Sequence, residues 1–203
     1  MSYYAKRFFF FFQNEGVVTD GLKLWLDASN PASYPGSGTT WYDLSGNGNN
    51  GTMVNGVVPL SNAMRFDGVN DYVISNIPKD KYGSEFSIYM WVNMLGSQNT
   101  VGIWQAASGL NSSVPWILCQ RVTGGFRFYI NVGYGGNITV PNNTFFLMGL
   151  QFKNGIWEIS VNGVVVQTQT KPIAVSTAPS LYLGNGYNGY FNGQINDTII
   201  YNR

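Results

Sequence analysis

Alternation of apolar and polar positions is clearest at residues 86 to 93, FSIYMWVN, where Phe86, Ile88, Met90 and Val92 interleave with Ser87, Tyr89, Trp91 and Asn93. A period of two belongs to a strand, whose successive side chains point to opposite faces. The spacing therefore predicts a strand with one core face and one face that is polar but aromatic-rich. The same period returns at 126 to 132, with Phe126, Phe128, Ile130 and Val132 against Arg127, Tyr129 and Asn131. Leu22, Leu24 and Leu26 make a shorter alternating strand near the start. Trp157, Ile159 and Val161 lead into Asn162-Gly163, the strongest short signal for a two-residue hairpin turn, and Val164 to Gln167 return from it. Leu181, Leu183 and the run from Ile195 to Tyr201 close the chain. No stretch sustains a 3.6-residue period, so helix is expected to be minor. An antiparallel two-sheet sandwich of roughly a dozen strands follows from the spacing.

The connections carry their own signals. Pro31, Pro35 and Gly36 forbid a long helix or a central strand after the first strand. WYDLSGNGNNGT, from Trp41 to Thr52, is a polar loop with Trp41 and Leu44 as its expected anchors. Asp67-Gly68 is a turn pair inside FDGVNDYV. Asp27, Asp43, Asp67 and Asp71 all stand where strands meet loops, which is where a β scaffold carries its functional surface.

Residues 1 to 19 differ in composition from everything after them, so the chain divides into an N-terminal arm (1–19) and one domain (20–203). Phe8, Phe9, Phe10, Phe11 and Phe12 are consecutive, and in an extended strand their rings would project from both faces. Such a strand must be covered on both sides. It is either an extra strand of the domain's own sandwich or an arm that docks on another subunit or protein. Lys6 and Arg7 before the run imitate the start of a signal peptide, but five apolar residues fall short of the usual 7 to 15 or so. No small-residue cleavage site follows in Gln13-Asn14-Glu15. Export by that route is not expected. Nor does any apolar run approach the roughly 20 residues of a membrane helix, so no membrane insertion is expected.

Composition narrows the function classes. A length of 203 residues suits one sandwich domain able to bury a core without staples. The net charge of +1, with 10% charged residues and scattered Lys and Arg, argues against nucleic-acid binding, which needs clustered cations. There is no histidine, which removes Ser-His-Asp and Cys-His catalysis and histidine-bound zinc together. Cys119 is the lone cysteine, so no intramolecular disulfide forms, and its place after Trp116-Ile117-Leu118 predicts a buried thiol.

Several long motifs, in order, resemble those of the laminin-G-like, concanavalin A-like jelly-roll domains. They are LDASNPASYPGSGTTWYDLSGNGNNGT, FDGVNDYV, FSIYMWVN, WEISVNGVVV and LYLGNGYNGYFNGQINDTIIYNR. The resemblance covers about residues 20 to 203. It implies an all-β, antiparallel two-sheet jelly-roll sandwich and leaves out the extended N-terminal arm. It further implies that the first strand (22–26) and the last (about 195–201) lie side by side in one sheet. It says less about function, because this fold hosts lectins, glycosidases, adhesion modules and virus structural proteins.

The residues present favour some chemistries over others. Glycosidases need two carboxylates about 5 to 9.5 Å apart across the scissile bond. The glucanase branch of the resembled fold carries them on a Glu-x-Asp-x-x-Glu strand, which no segment here matches, and Glu158 stands alone in its strand. No catalytic residue is therefore assigned. Calcium prefers hard oxygen ligands, and related domains bind it between loops. The candidates are Asp67, Asn70 and Asp71, with Asp43 and Asn47 to Asn50 as a second set, against the alternative that these side chains cap their own turns. A sugar needs aromatic platforms beside amides and carboxylates. Candidate carbohydrate-binding residues are Asp71, Tyr134, Asn137, Asn188 and Tyr190, with the Tyr89 and Trp91 face as a further candidate.

The expected function is that of a non-enzymatic virion structural protein. The sequence style resembles laminin-G-like proteins among tailed-phage structural proteins. On this expectation Tyr3, Tyr4 and Phe8 to Phe12 anchor the chain to a capsid or tail protein. It is then present in many copies on a symmetric assembly, with outward loops that grip host-surface glycans. The alternative is a free lectin-like module, calcium-dependent or not, whose main activity is sugar binding.

Overall fold

The computed structural model describes residues 16–77, 85–97, 100–107, 109–110, 117–130, 133–170 and 180–203. Among these the chain runs through β1 (Leu22–Asp27), β2 (Thr40–Trp41), β3 (Gly51–Val54), β4 (Val58–Pro59), β5 (Met64–Asp67), β6 (Tyr72–Ser75), β7 (Phe86–Met94), β8 (Val101–Ala107), β9 (Ile117–Val122) and β10 (Gly125–Ile130). It continues through β11 (Gly133–Tyr134), β12 (Ile138–Thr139), β13 (Phe145–Lys153), β14 (Ile156–Val161), β15 (Val164–Thr170), β16 (Ser180–Leu183), β17 (Asn185–Gly186), β18 (Gly189–Tyr190) and β19 (Asn192–Tyr201). The described residues include no helix. The excess over a dozen strands comes from two-residue pieces in Gly- and Asn-rich sequence, which are too short to show alternation. Tyr3, Tyr4, Phe8 to Phe12, Trp116, Asn131 and Val132 lie outside the described residues.

Two antiparallel sheets form the sandwich. The eight-stranded sheet has the order β15-β14-β13-β7-β19-β5-β4, with β1 also on β19. The nine-stranded sheet has the order β11-β10-β9-β8-β16-β6-β3-β2, with β12 on β10. Leu24 pairs with Ile200 and Leu26 with Thr198, so the first and last strands do lie side by side. Between the sheets, the even positions of β7 meet Trp104, Phe126 and Phe128 in one core. Phe126 of one sheet stacks on Phe146 of the other with centroids 5.7 Å apart. Each such buried aromatic contributes about 2 to 3 kcal/mol of transfer free energy. Cys119 is fully buried, with Sγ 3.3 Å from Met148 Sδ. Asn162 and Gly163 both have positive φ (49° and 78°), the geometry of the predicted hairpin turn. The Asn162 side chain also accepts the Leu147 N–H across the sheet.

The fold departs from the alternation pattern in two places. Leu22, Leu24 and Leu26 do not share a face, because a register shift between Leu22 and Leu24 turns Leu22 outward with Ile199 and Tyr201. The outer face of the eight-stranded sheet is also not a solvated polar surface. Ile199 is 1%, Leu147 3% and Tyr201 4% exposed, and Tyr89 is buried beside them. Val17 and Val18 pack on the Leu22, Ile199 and Tyr201 cluster, so the end of the 1–19 segment belongs to the domain's packing.

Candidate functional site

The outer face of the nine-stranded sheet gathers polar and aromatic groups. On β9 and β10 the outward positions are Leu118, Gln120, Arg127 and Tyr129. They pair across the strands as Leu118 with Tyr129 and Gln120 with Arg127, and Tyr129 then pairs with Tyr134 of β11. Arg127 donates from Nε and Nη2 to Gln120 Oε1 at 3.1 and 2.9 Å. Its guanidinium carbon lies 3.8 Å from the centre of the Tyr134 ring. Tyr129 meets Tyr134 edge to face at 5.1 Å. Tyr134 is thus braced from two sides while remaining 40% exposed, a fixed ring that has lost its rotamer entropy before any ligand arrives.

A hairpin lies on the same face. β17 and β18 pair Asn185 with Tyr190 and Gly186 with Gly189. The turn carries Tyr187 and Asn188, the latter at φ 82°. The hairpin approaches the sheet backbone to backbone, since a Cβ on Gly102 of β8 would stand 2.1 Å from Gly186 Cα, and one on Gly186 would stand 2.5 Å from Leu118 Cδ1. Gln105 Nε2 donates to the buried Asn185 Oδ1 at 3.1 Å and fixes the hairpin base. Tyr187 is 39% exposed and Asn188 is exposed, whereas Tyr190 is half-buried. The hairpin therefore sits above Leu118, which lies two inter-strand steps, about 10 Å, from Tyr134 in the same cross-strand row. Asn137 is exposed in the connection from β11 to β12.

The structure places Tyr134 on the outer face of the nine-stranded sheet, and on the same face the hairpin that carries Asn188 and Tyr190, whose base packs on Gly102 and Leu118. It sets Asp71 apart. Asp71 is 2% exposed. Its Oδ2 accepts the Asp67 N–H at 3.0 Å, and Asp67 Oδ1 accepts from Val69 and Asn70 N–H groups at 2.7 and 3.4 Å. Burial works against ionisation of Asp67, but the backbone donors of Val69, Asn70 and Asp71 prevail and hold its carboxyl below the usual range. Burial, joined by the Asp67 charge, pushes Asp71 up. These carboxylates serve their own turn, so Asp71 offers no surface to a sugar. The second acidic set does likewise. Asp43 accepts from the N–H groups of Trp25, Ser45 and Asn49 and from the Ser45 hydroxyl. Among the described residues no three His, Cys, Asp or Glu side chains are placed to share a cation.

One acidic pair carries no sequence signal. Asp27 and Asp197 are cross-strand partners on β1 and β19. Burial above all, then the Asp27 charge and a hydrogen bond with Asp27, pushes the Asp197 carboxyl up to about 8. Only the register of two strands 170 residues apart in sequence creates this pair. Arg127 likewise shows in the sequence only as a polar strand position, though the structure places it on the outer face as a positive group against Gln120 and Tyr134.

A search of curated protein sequences gives no match. Solved structures are similar in fold. Trypanosoma rangeli sialidase superposes with a TM-score of 0.71 at 14% identity, over 93% of this chain and 32% of that one. A mutant of it displaying trans-sialidase activity gives 0.73 at 13%, with the same coverages. The binding domain of botulinum neurotoxin serotype D gives 0.70 at 16%, over 92% of this chain and 49% of that one. The chain thus spans less than half the length of these proteins, and at such identity the likeness is one of fold. The family model of laminin G type, described as the concanavalin A-like lectin/glucanases superfamily, matches residues 67–203, and the chain belongs to that superfamily.

Proposed function

We propose that the chain is a non-enzymatic carbohydrate-binding module whose ligand surface is the outer face of the nine-stranded sheet. The observation that carries this reading is the cross-strand row of Leu118, Tyr129 and Tyr134, with the glycine hairpin seated over Leu118 at one end, the braced and exposed Tyr134 ring at the other, and Arg127 between Gln120 and Tyr134. An aromatic face takes the apolar side of a sugar, and Asn137 and Asn188 supply amide donors and acceptors around it. Arg127 adds a positive charge, so acidic sugars are the ligand class this face fits best. Family membership supports the reading, as do neighbours whose descriptions include a sialidase in complex with sialic acid. The non-catalytic part rests on the carboxylates. Asp27 and Asp197 are in hydrogen-bond contact, closer than the roughly 5 Å a glycosidase pair requires, and Asp67 and Asp71 are committed to their turn.

The test is a glycan array that includes neutral and acidic oligosaccharides, probed with the full-length protein and with Tyr134→Ala, Tyr187→Ala and Arg127→Gln. The expected result is binding that falls at least tenfold in each tyrosine variant with the melting temperature unchanged, and that loses its acidic preference in Arg127→Gln. Binding that survives both tyrosine changes, or no binding at all, overturns the reading.

A second reading is compatible with the first. The module decorates a phage capsid or tail in many copies, with Tyr3, Tyr4 and Phe8 to Phe12 as its anchor and the sugar face outward. It rests on the aromatic run and on the resemblance in sequence style. Co-sedimentation with particles, comparing the full chain with one starting at Gly16, tests it: only the full chain should pellet.

A further inference from the structure

The outer face of the eight-stranded sheet carries an apolar patch, set among Ser87, Asn93 and Gln151, where such a face would ordinarily be wet. Its outward residues follow one another across strands: Trp25 pairs with Ile199, Ile199 with Tyr89, and Tyr89 with Gly149. Beside this row, Trp91 of β7 pairs with Leu147 of β13. Gly149 keeps the row low, because a Cβ there would stand 2.9 Å from the Tyr89 ring. Ile199 and Leu147 point away from the sandwich core and are still almost wholly buried.

The chain enters the domain over this face. Val17 and Val18, among the first described residues, pack, as Trp25 does, on the cluster of Leu22, Ile199 and Tyr201 at the β1 and β19 end of it. Tyr89, Trp91 and Leu147 carry the same apolar surface onward across β7 and β13. The preceding fifteen residues contain Phe8 to Phe12 and two tyrosines. Extended, they reach about 50 Å, whereas β1 to β13 is three inter-strand steps, about 15 Å.

We propose that residues 1–15 seat on the outer face of the eight-stranded sheet of their own domain, with the phenylalanine run covering Tyr89, Trp91 and Leu147. The occupant follows from continuity, since the segment begins where Val17 and Val18 already lie, and from chemistry, since five adjacent rings need an apolar bed. An extended run presents alternate rings to the sheet, Phe8, Phe10 and Phe12 or else Phe9 and Phe11. The inference is independent of the sugar-binding reading. It competes with the anchor role, because an arm held on its own sheet is withdrawn from a partner.

The experiment places the photo-crosslinker p-benzoylphenylalanine at position 9 or, separately, position 10 of the full-length chain. Each protein is irradiated at low micromolar concentration, and adducts are mapped in the monomer fraction. The expected result is an intrachain adduct to the peptides carrying Tyr89, Trp91 or Leu147 from at least one position. Adducts only between chains place the arm on a second copy. Adducts to the nine-stranded sheet, or none, place it elsewhere. Any of these overturns the proposal. Hydroxyl-radical footprinting gives an independent reading with all five phenylalanines changed to serine. Labelling of Tyr89, Trp91 and Leu147 should rise severalfold while core Phe126 stays protected. Unchanged labelling at those three residues with Phe126 protected overturns the proposal.

Discussion

Gly102 of β8 and Gly186 of β17 touch through their backbones, with Gly186 Cα 2.1 Å from where a Cβ on Gly102 would be. Neither position has room for a methyl group, and the contact is backbone against backbone, which cannot swing aside. The whole Tyr187-Asn188 turn is positioned by this approach together with the Gln105 to Asn185 hydrogen bond.

Gly102→Ala should therefore lift the hairpin from the sheet. The expected cost is about 1 to 3 kcal/mol, the usual range for overpacking, read by denaturant melts. Sugar binding on that face should weaken with it. A variant of wild-type stability would show that the hairpin is not held by this contact.

Asp197 makes stability depend on pH. Its carboxyl is raised from 3.8 to about 8 by burial and by Asp27. Between those values the folded chain keeps a proton that the unfolded chain has released. Stability is then fully present below about pH 4 and is lost as pH rises toward 8. Asp197→Asn is neutral throughout and can still donate to Asp27. It should flatten that part of the profile and be the more stable protein at pH 9, as measured by urea melts at pH 5, 7 and 9.

The Asp43 loop is a clamp on β1. Asn47 and Asn49 donate to the Leu22 and Lys23 carbonyls, and Asp43 receives four donors including the Trp25 N–H. Asp43→Ala leaves those donors unpaired and should cost about 3 kcal/mol by thermal denaturation.

Calcium bears on the same carboxylates. A cation at Asp67, Asn70 and Asp71, or at Asp43, would compete with the backbone donors already held by Asp67 Oδ1, Asp71 Oδ2 and Asp43. Millimolar calcium or chelator should leave the melting temperature unchanged. A rise of several degrees with calcium would reveal a bound ion through its linkage to folding.

Cys119 is buried and its thiol is pushed well up by burial. It should resist iodoacetamide in the native protein and react fully on unfolding. Rapid native labelling would mean that β9 opens.

What the sequence alone determined is what local chemistry encodes. Period-two alternation located β7, β10 and β14, Asn162-Gly163 located the hairpin from β14 to β15, the apolar setting of Cys119 predicted its burial, and ordered motifs disclosed the superfamily. Tyr134, Asn137, Asn188 and Tyr190 were legible as Gly-, Asn- and Tyr-rich segments, yet nothing local said that the hairpin from Asn185 to Tyr190 packs on the sheet face that carries Tyr134. Asp71 illustrates the opposite limit, since a turn aspartate reads alike whether its carboxylate faces water or the Asp67 N–H. The tertiary structure alone decided the bulge that turns Leu22 outward, the meeting of Asp27 with Asp197, the seat of the hairpin on Gly102, and the burial of Ile199 and Leu147 on an outer face. The reason is physical. Alternation states that a side chain has two sides to choose between, but strand register and the approach of one layer to another are set by residues far apart in the chain, and these decide what each side meets.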